Sequence, residues 1–212
     1  MIEQTLTSEQ TDILGEVANI SMGNSATTLS LMVNRRVRIT TPSVKIISRS
    51  ASLDDYEKTC VFVQIHYIKG LSGNNVLILK DRDVKCMTDL MMGGDGTHIE
   101  GEISELQLSA ASEAMNQMMG TSATSMATML NIPIDISTPV VNQIDVESVK
   151  LFEKIFESSE EKFVKVSFRM EIGDLIDSTM VQLYPVHFAA EMCEKFKEGK
   201  LQGRVPVKET EE

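Results

Sequence analysis

The amino-acid sequence predicts an α+β fold made of two equivalent units related by a pseudo-two-fold axis, with two long helices over a β-sheet. A shift of the chain by 97 positions aligns residues 12–42 with residues 109–139, and twelve of these thirty-one positions are identical. In each copy a long stretch of helical period is followed by short β-branched runs and a second helical stretch. The repeat and the change of period together predict the duplication.

Each unit opens with a long helix. Thr7 with Gln10, and Ser104 with Gln107, have the spacing of a capping box, in which a hydroxyl and a glutamine three residues later bond each other's backbone N–H groups. The first unit is expected to continue with strands at 37–40, 44–47, 59–67 and 75–79 and a helix at 83–92. The second is expected to continue with strands at 134–137, 140–144, 162–170 and 178–184, then a helix from Pro185, at its first position, to about Lys197.

These elements predict one domain over residues 1–198, with repeat units at about 7–92 and 104–198. The glycines of residues 93–96 end the first unit, and residues 199–212 are polar enough to form a tail or linker. Residues 163–168 alternate between apolar and polar side chains, which predicts a sheet with one face buried against helices.

Composition excludes several classes of function. Thirty-one acidic against twenty basic residues give a formal charge of -11, which disfavours nucleic acids and anionic membrane surfaces as partners. The sequence shows no basic leader followed by an apolar stretch and no run of eighteen apolar residues, so a cytoplasmic protein that does not span the membrane is expected.

The residues that usually hold metals or perform covalent catalysis are scattered. Cys60, Cys86 and Cys193 are odd in number and lack paired spacing, so neither a disulfide framework nor a metal or redox site is indicated. The three histidines, His66, His98 and His187, are expected to be isolated surface or core residues. The glycine-rich segments 70–73 and 93–96 lack the patterns of phosphate-binding loops and are predicted to be turns. No metal is expected.

The two long helices present the same polar residues on one side. At 100° per residue, a buried side is predicted for each helix, and the opposite sides carry Asp12, Glu16, Asn19 and Gly23 in the first copy and Ser109, Glu113, Asn116 and Gly120 in the second. The predicted buried residues are Leu14, Val17, Ala18, Ser21, Ser25, Leu29 and Met32, and Ala111, Ala114, Met115, Met118, Ser122, Met126 and Met129.

Two interpretations of this polar face stay open at this point. Glu and Asn on a helix surface are often merely solvated, and a duplication copies residues without a function as well as functional ones. A glycine within a helix costs on the order of 1 kcal/mol relative to alanine, so Gly23 and Gly120 call for a reason. That reason is either a helix crossing or the close approach of another molecule.

The repeated residues resemble a known family. Asp12-x3-Glu16-x2-Asn19-x22-Pro42 and Ser109-x3-Glu113-x2-Asn116-x22-Pro139 match the (Asp or Ser)-x3-Glu-x2-Asn-x22-Pro pattern of the CheC, CheX and FliY phosphatases of bacterial chemotaxis. The resemblance covers nearly the whole chain. Within the family, residues 16–23 and 113–120 look most like the CheC-like domain of the FliY branch. FliM, which is similar in fold but lacks the Glu and Asn, is disfavoured.

The resemblance implies an activity and partners. The substrate would be the aspartyl phosphate of the response regulator CheY, whose own Mg²⁺ would serve the reaction, so the domain needs no cofactor. Asn19 and Asn116 would orient the attacking water, Glu16 and Glu113 would pair with a lysine of the regulator, and Asp12 or Ser109 would support the helix face or the rim. In the FliY branch the partners would include FliM, FliN and FliG at the flagellar switch.

Two other functions remain open from the sequence. A free CheC-type phosphatase regulated by CheD would carry the same motifs, and a domain following Glu212 would distinguish the FliY branch from it. Alternatively, the domain would be a non-catalytic scaffold of the switch ring that binds phospho-CheY without turnover. Retained binding with loss of phosphatase activity would identify the scaffold.

Overall fold

A computed structural model of the chain describes residues 5–49, 59–145, 156 and 160–202. Within these ranges the helices are α1 (Ser8–Val33), α2 (Asp81–Met91), α3 (Glu105–Leu130) and α4 (Val186–Gln202). The strands are β1 (Val37–Ser48), β2 (Thr59–Lys69), β3 (Gly73–Lys80), β4 (Asp135–Ile136), β5 (Val140–Asp145), β6 (Lys162–Ile172) and β7 (Ile176–Pro185). The predicted α+β class is confirmed.

The two long helices begin and end for the same local reasons. Thr7 and Ser104 each complete the predicted capping box, with both reciprocal hydrogen bonds formed. At the other end, Asn34 and Asn131 adopt left-handed backbone conformations with φ of 49° and 54°, which asparagine tolerates better than most residues. Both helices are therefore 26 residues long.

The strands of the two units interlock in one antiparallel sheet of order β1-β6-β7-β3-β2-β4, with β5 also paired to β2. The first strand of each unit thus pairs with the second strand of the other unit. Val44 lies opposite Val166, and Val141, its counterpart in the repeat, lies opposite Val63. This reciprocal register is the pattern that a two-fold relation produces; the axis itself stays a prediction.

Both faces of the sheet carry apolar residues. The main core lies between the helices and one face, where Val164, Val166 and Phe168 are buried. Phe163 points to the other face, because successive residues of a strand alternate, and it packs there against Phe156 with ring centroids 4.8 Å apart. The predicted face buried against helices is therefore present, and the burial of Phe163 in a second cluster on the opposite face is a feature that was not predicted.

Several predicted boundaries differ from the structure. The expected strands 37–40 and 44–47 form one strand, β1, with a register irregularity between Thr40 and Ser43. Pro185 is the last residue of β7, opposite Phe163, rather than the first of α4. A proline is compatible with a strand end because the pairing there does not depend on its missing N–H group.

The last helix continues past the predicted end at Lys197, into the segment expected to be a tail. A methyl group on Gly199 would lie 2.5 Å from the carbonyl oxygen of Leu130, so the glycine allows α4 to approach the end of α3. This long-range contact accounts for helical structure in a polar stretch. No helix among the described residues is both long and apolar enough to cross a membrane.

Candidate active site

The predicted residues of the first copy come together beside an edge strand. Asp12, Glu16 and Asn19 are exposed on α1, and with Pro42 of β1 they border an open depression that Thr11, Gly15, Thr40 and Val44 complete. Gly23 lies half-buried on the same helix, one turn beyond Asn19. We call the set Asp12, Glu16, Asn19, Gly23 and Pro42 site 1.

The second copy repeats this arrangement on α3. Ser109, Glu113 and Asn116 are exposed, Gly120 is half-buried, and Pro139 is buried immediately before β5. We call the set Ser109, Glu113, Asn116, Gly120 and Pro139 site 2. The acid and amide of both sites thus face outward, as the helical period predicts.

The proline of each site marks a break in an outer strand of the sheet. Pro42 lies at the irregular register of β1, and Pro139 lies between the short β4 and β5. Proline is tolerated at edges and bulges because it cannot donate a ladder hydrogen bond. The breaks occur where each outer strand passes its long helix, so the fold alone gives these prolines a structural role.

Polar contacts between α1 and α3 fix the relative position of the two sites. Ser25 Oγ donates to the Met118 carbonyl at 2.8 Å in the buried interface. Asn24 Nδ2 donates to Ser125 Oγ at 2.9 Å, and the Thr28 and Thr121 hydroxyls lie 2.8 Å apart. In the repeat, Asn24 is equivalent to Thr121 and Thr28 is equivalent to Ser125. The Asn24–Ser125 and Thr28–Thr121 contacts therefore join equivalent positions of the two helices.

The glycines of the sites are not explained by packing within the described chain. A methyl group built on Gly23 or on Gly120 would meet nothing within 4 Å. A helix crossing, one of the two reasons that the sequence left open, therefore does not apply among the described residues. The other reason, the close approach of another molecule, stays a prediction.

The two glutamates differ in what contacts them. Glu16 Oε2 lies 3.6 Å from Lys200 Nζ in the last turn of α4, and about half of each side chain is exposed. Glu113 Oε1 instead accepts a hydrogen bond from Gln117 Nε2, one turn further along α3. Neither partner was predicted from the sequence. The sequence shows that Glu113 and Gln117 lie one turn apart on the same helix, but the contact of Lys200 with Glu16 depends on tertiary packing.

This arrangement supports positioning chemistry rather than covalent catalysis. A carboxylate can pair with a cation of a docked partner, and a neutral amide can both accept from a water and donate beside it. The sites themselves contain no thiol or imidazole. Cys60, Cys86 and Cys193 are free and buried, and they belong to the two apolar cores.

A separate cluster of ligand-type side chains lies at the end of α2 and in the turn that follows it. His98 is a surface residue, as predicted, and its Nδ1 is 3.4 Å from Asp89 Oδ1 and 4.0 Å from an oxygen of Asp95, a proximity that was not predicted. Asp89 also accepts from the Gly96 N–H, and Asp95 from Thr97. These bonds explain the carboxylates as parts of the turn, and the absence of a resident metal stays a prediction.

The interlocked units and their two outward acid–amide faces define a class of duplicated α+β domain. A model of the CheC-like family matches residues 9–46 and 106–142, which contain all ten residues of sites 1 and 2. The chain belongs to the CheC-like family.

Three relatives show the extent of the similarity. The flagellar motor switch phosphatase FliY of Bacillus subtilis is 45% identical over 187 residues, covering 88% of this chain and 49% of that protein. The chain therefore spans about half the length of that relative. The CheY-P phosphatase CheC of B. subtilis is 27% identical over 72% of this chain and 74% of its own. The crystal structure of Thermotoga maritima FliY superposes with a TM-score of 0.86 at 38% identity, covering 94% of this chain and all of that one.

Proposed function

We propose that this domain accelerates hydrolysis of the aspartyl phosphate of a response regulator, phospho-CheY, at the flagellar motor switch. The observation that carries the proposal is the repeated outward face with Glu16 and Asn19 on α1 and Glu113 and Asn116 on α3. The phosphatase names of the two B. subtilis relatives support the reaction. The residues involved match the family pattern in both copies.

The proposed step is an in-line displacement at phosphorus. The oxygen of a water molecule forms a bond to phosphorus while the bond from phosphorus to the aspartyl oxygen breaks, which releases inorganic phosphate and leaves the carboxylate. The regulator supplies the Mg²⁺ that neutralises the phosphoryl oxygens. Asn19 or Asn116 contributes by orienting the water, because proximity and alignment lower the barrier without covalent chemistry.

The glutamates contribute to docking. Glu16 and Glu113 are exposed carboxylates next to the amides, and each pairs with an active-site lysine of the regulator. The half-buried glycine beyond each Asn leaves room for the partner's backbone. Asp12 and Ser109 form the rim at the other end of each site.

The test is a phosphate-release assay with phospho-CheY and the variant Asn19→Ala/Asn116→Ala. Accelerated release is expected to fall to the regulator's own rate, while melting curves stay close to wild type, since exposed substitutions usually change stability by within about 0.5 kcal/mol. Thr27→Ala/Thr124→Ala is the matched control, because these threonines are exposed on the same two helices, about two turns from the amides. A folded double Asn variant that still works at the wild-type rate would refute the sites.

The glutamate variants separate docking from turnover. Glu16→Ala and Glu113→Ala are expected to weaken complex formation as well as turnover, because their pairing is made in the docked state. A wild-type domain that binds phospho-CheY without releasing phosphate would instead identify the scaffold.

We place the domain in the cytoplasm with FliM, FliN and FliG as partners. Stimulation of its activity by CheD would favour the CheC-type alternative.

A further inference from the structure

The two sites are chemically different next to their glutamates. Residue 20 and residue 117 correspond in the repeat, and they are isoleucine in site 1 and glutamine in site 2. Gln117 reaches back to Glu113, whereas Ile20 offers no hydrogen-bond donor and is 40% exposed. Site 1 has a different neighbour, Lys200, which α4 brings to Glu16.

The length of the closing helix explains why Lys200 lies at site 1. The closing helix of the first unit, α2, has 11 residues, whereas α4 has 17 and continues through Lys200. Lys200 Nζ lies 4.3 Å from the centroid of the Phe196 ring, a cation–π contact that holds the ammonium group near the helix. The same turn, with Phe196 and Leu201, borders a groove shared with Asp12 and Glu16.

The two neighbours have opposite consequences for an incoming cation. Lys200 carries the same charge as the lysine that a partner would offer to Glu16, so the partner must displace it. The pair is displaceable, because both side chains are about half exposed and such pairs are weak. Gln117 is neutral: it holds one oxygen of Glu113 in place and leaves the negative charge and the second oxygen for the partner.

We propose that Lys200 and Gln117 are positioning residues that give the two sites different affinities for the same partner. Lys200 competes with the partner at site 1 and weakens docking there. Gln117 orients Glu113 and strengthens docking at site 2. The inference rests on the proposed function, because it concerns the affinity of the same two surfaces for the regulator.

The test isolates one site at a time. Asn116→Ala leaves site 1 as the active site, and in this background Lys200→Met is expected to lower KM for phospho-CheY about two- to five-fold with kcat unchanged. Lys195→Met is the matched control, since it removes the same charge from the same helix but Lys195 pairs with Glu198 at 3.4 Å. Raising the salt concentration is expected to shrink the effect of Lys200→Met.

The reverse background, Asn19→Ala, reports on site 2. There Gln117→Ile is expected to raise KM about two-fold without changing kcat, because Glu113 loses its orienting bond. In the site 1 background, Ile20→Gln added to Lys200→Met is expected to lower KM further, because it places a donor one turn from Glu16. Melting curves of each variant show whether folding is kept.

Two results would overturn the inference. Equal changes of KM in Lys200→Met and Lys195→Met would mean that overall charge rather than the Glu16 contact acts at site 1. An unchanged KM in Gln117→Ile would remove the assigned role at site 2. If no background turns over phosphate, the proposed function fails. The inference is then decided separately by the dissociation constants of Lys200→Met and Gln117→Ile for the regulator activated with beryllofluoride, each measured with the glutamate of the other site replaced by alanine.

Discussion

The side chain at positions 19 and 116 is informative because it is an amide and not a carboxylate. An aspartate there would also bind a water, but its charge would repel the phosphoryl oxygens that the water must approach. A neutral side chain that both donates and accepts avoids this repulsion. In the proposed reaction, a charged residue would serve docking and a neutral one would orient the water, so the two tasks would fall on neighbouring turns of each helix.

A buried thiol provides a prediction about pH. Burial raises the pKa of the Cys193 thiol to about 11 from an ordinary value of 9, and its Sγ lies 3.5 Å from the Gln10 carbonyl that links α4 to α1. The folded state therefore holds this proton more tightly than the unfolded chain. The resulting stability is fully present below pH 9 and is lost as the pH rises through 11.

Urea unfolding at pH 8, 9.5 and 10.5 measures this loss. The free energy of unfolding is expected to fall across the series, and Cys193→Ala is expected to flatten the fall even if it lowers stability at pH 8 by opening a cavity. Burial also raises the pKa of Tyr67 and Tyr184, so a weaker decline remains in the variant. A variant with the same slope as wild type would contradict the assignment to Cys193.

The outward direction of Glu16, Asn19, Glu113 and Asn116 could be predicted from the sequence, because helical period alone decides which side of an amphipathic helix is wet. The neighbour of Glu16 could not. Lys200 is 184 positions away, and its place depends on how far α4 extends, which Gly199 permits by its contact with Leu130. Contacts of this kind belong to tertiary packing and leave no local pattern.

At the scale of the helix, the glycines provide the next prediction. Gly23→Ala/Gly120→Ala is expected to stabilise the fold by roughly 1 kcal/mol for each substitution, since alanine is the better helix former and both positions are open within the chain. The same methyl groups would lie where a partner approaches, so KM for phospho-CheY is expected to rise. Thermal melts and phosphate release measured on one preparation test both effects.

The control for the glycine variants again uses the outer faces of the same helices. Thr27→Ala/Thr124→Ala also improves helix propensity, but these residues lie outside the two sites. It is expected to stabilise the fold with no change of KM. A stabilised glycine variant whose KM matches that of this control would show that the glycines do not serve the approach of a partner.

The boundaries of the helices were predictable where the signals are local, as at the two capping boxes. The boundaries of the strands were less so. Nothing in residues 37–47 tells that the two β-branched runs form one strand with a bulge at Pro42, because the pairing strand, β6, lies more than a hundred residues away. The burial of Phe163 could not be predicted for a similar reason, since Phe156, which packs against it, lies outside every predicted helix and strand.

At the scale of the whole molecule, the pairing of strands between the two units predicts that neither unit folds alone. Residues 104–202 alone would keep the β6–β7 pair. They would lose β1, which pairs with β6, β2, which pairs with β5, and β3, which pairs with β7. This fragment is expected to lack a cooperative melting transition as a monomer. Adding residues 1–96 is expected to restore the transition, measured by circular dichroism; independent folding of the fragment would contradict the prediction.

The distance along the chain between β1 and β6 also matters during synthesis on the ribosome. β1 ends at Ser48, and its partner β6 begins at Lys162. At ordinary elongation rates β1 therefore stays unpaired for on the order of ten seconds before β6 is synthesised. A waiting strand is a template for aggregation with neighbouring chains. Pro42 interrupts that template, and Arg38 and Lys45 add charge to it. The proline at the mouth of site 1 would thus protect the nascent chain before any partner can bind.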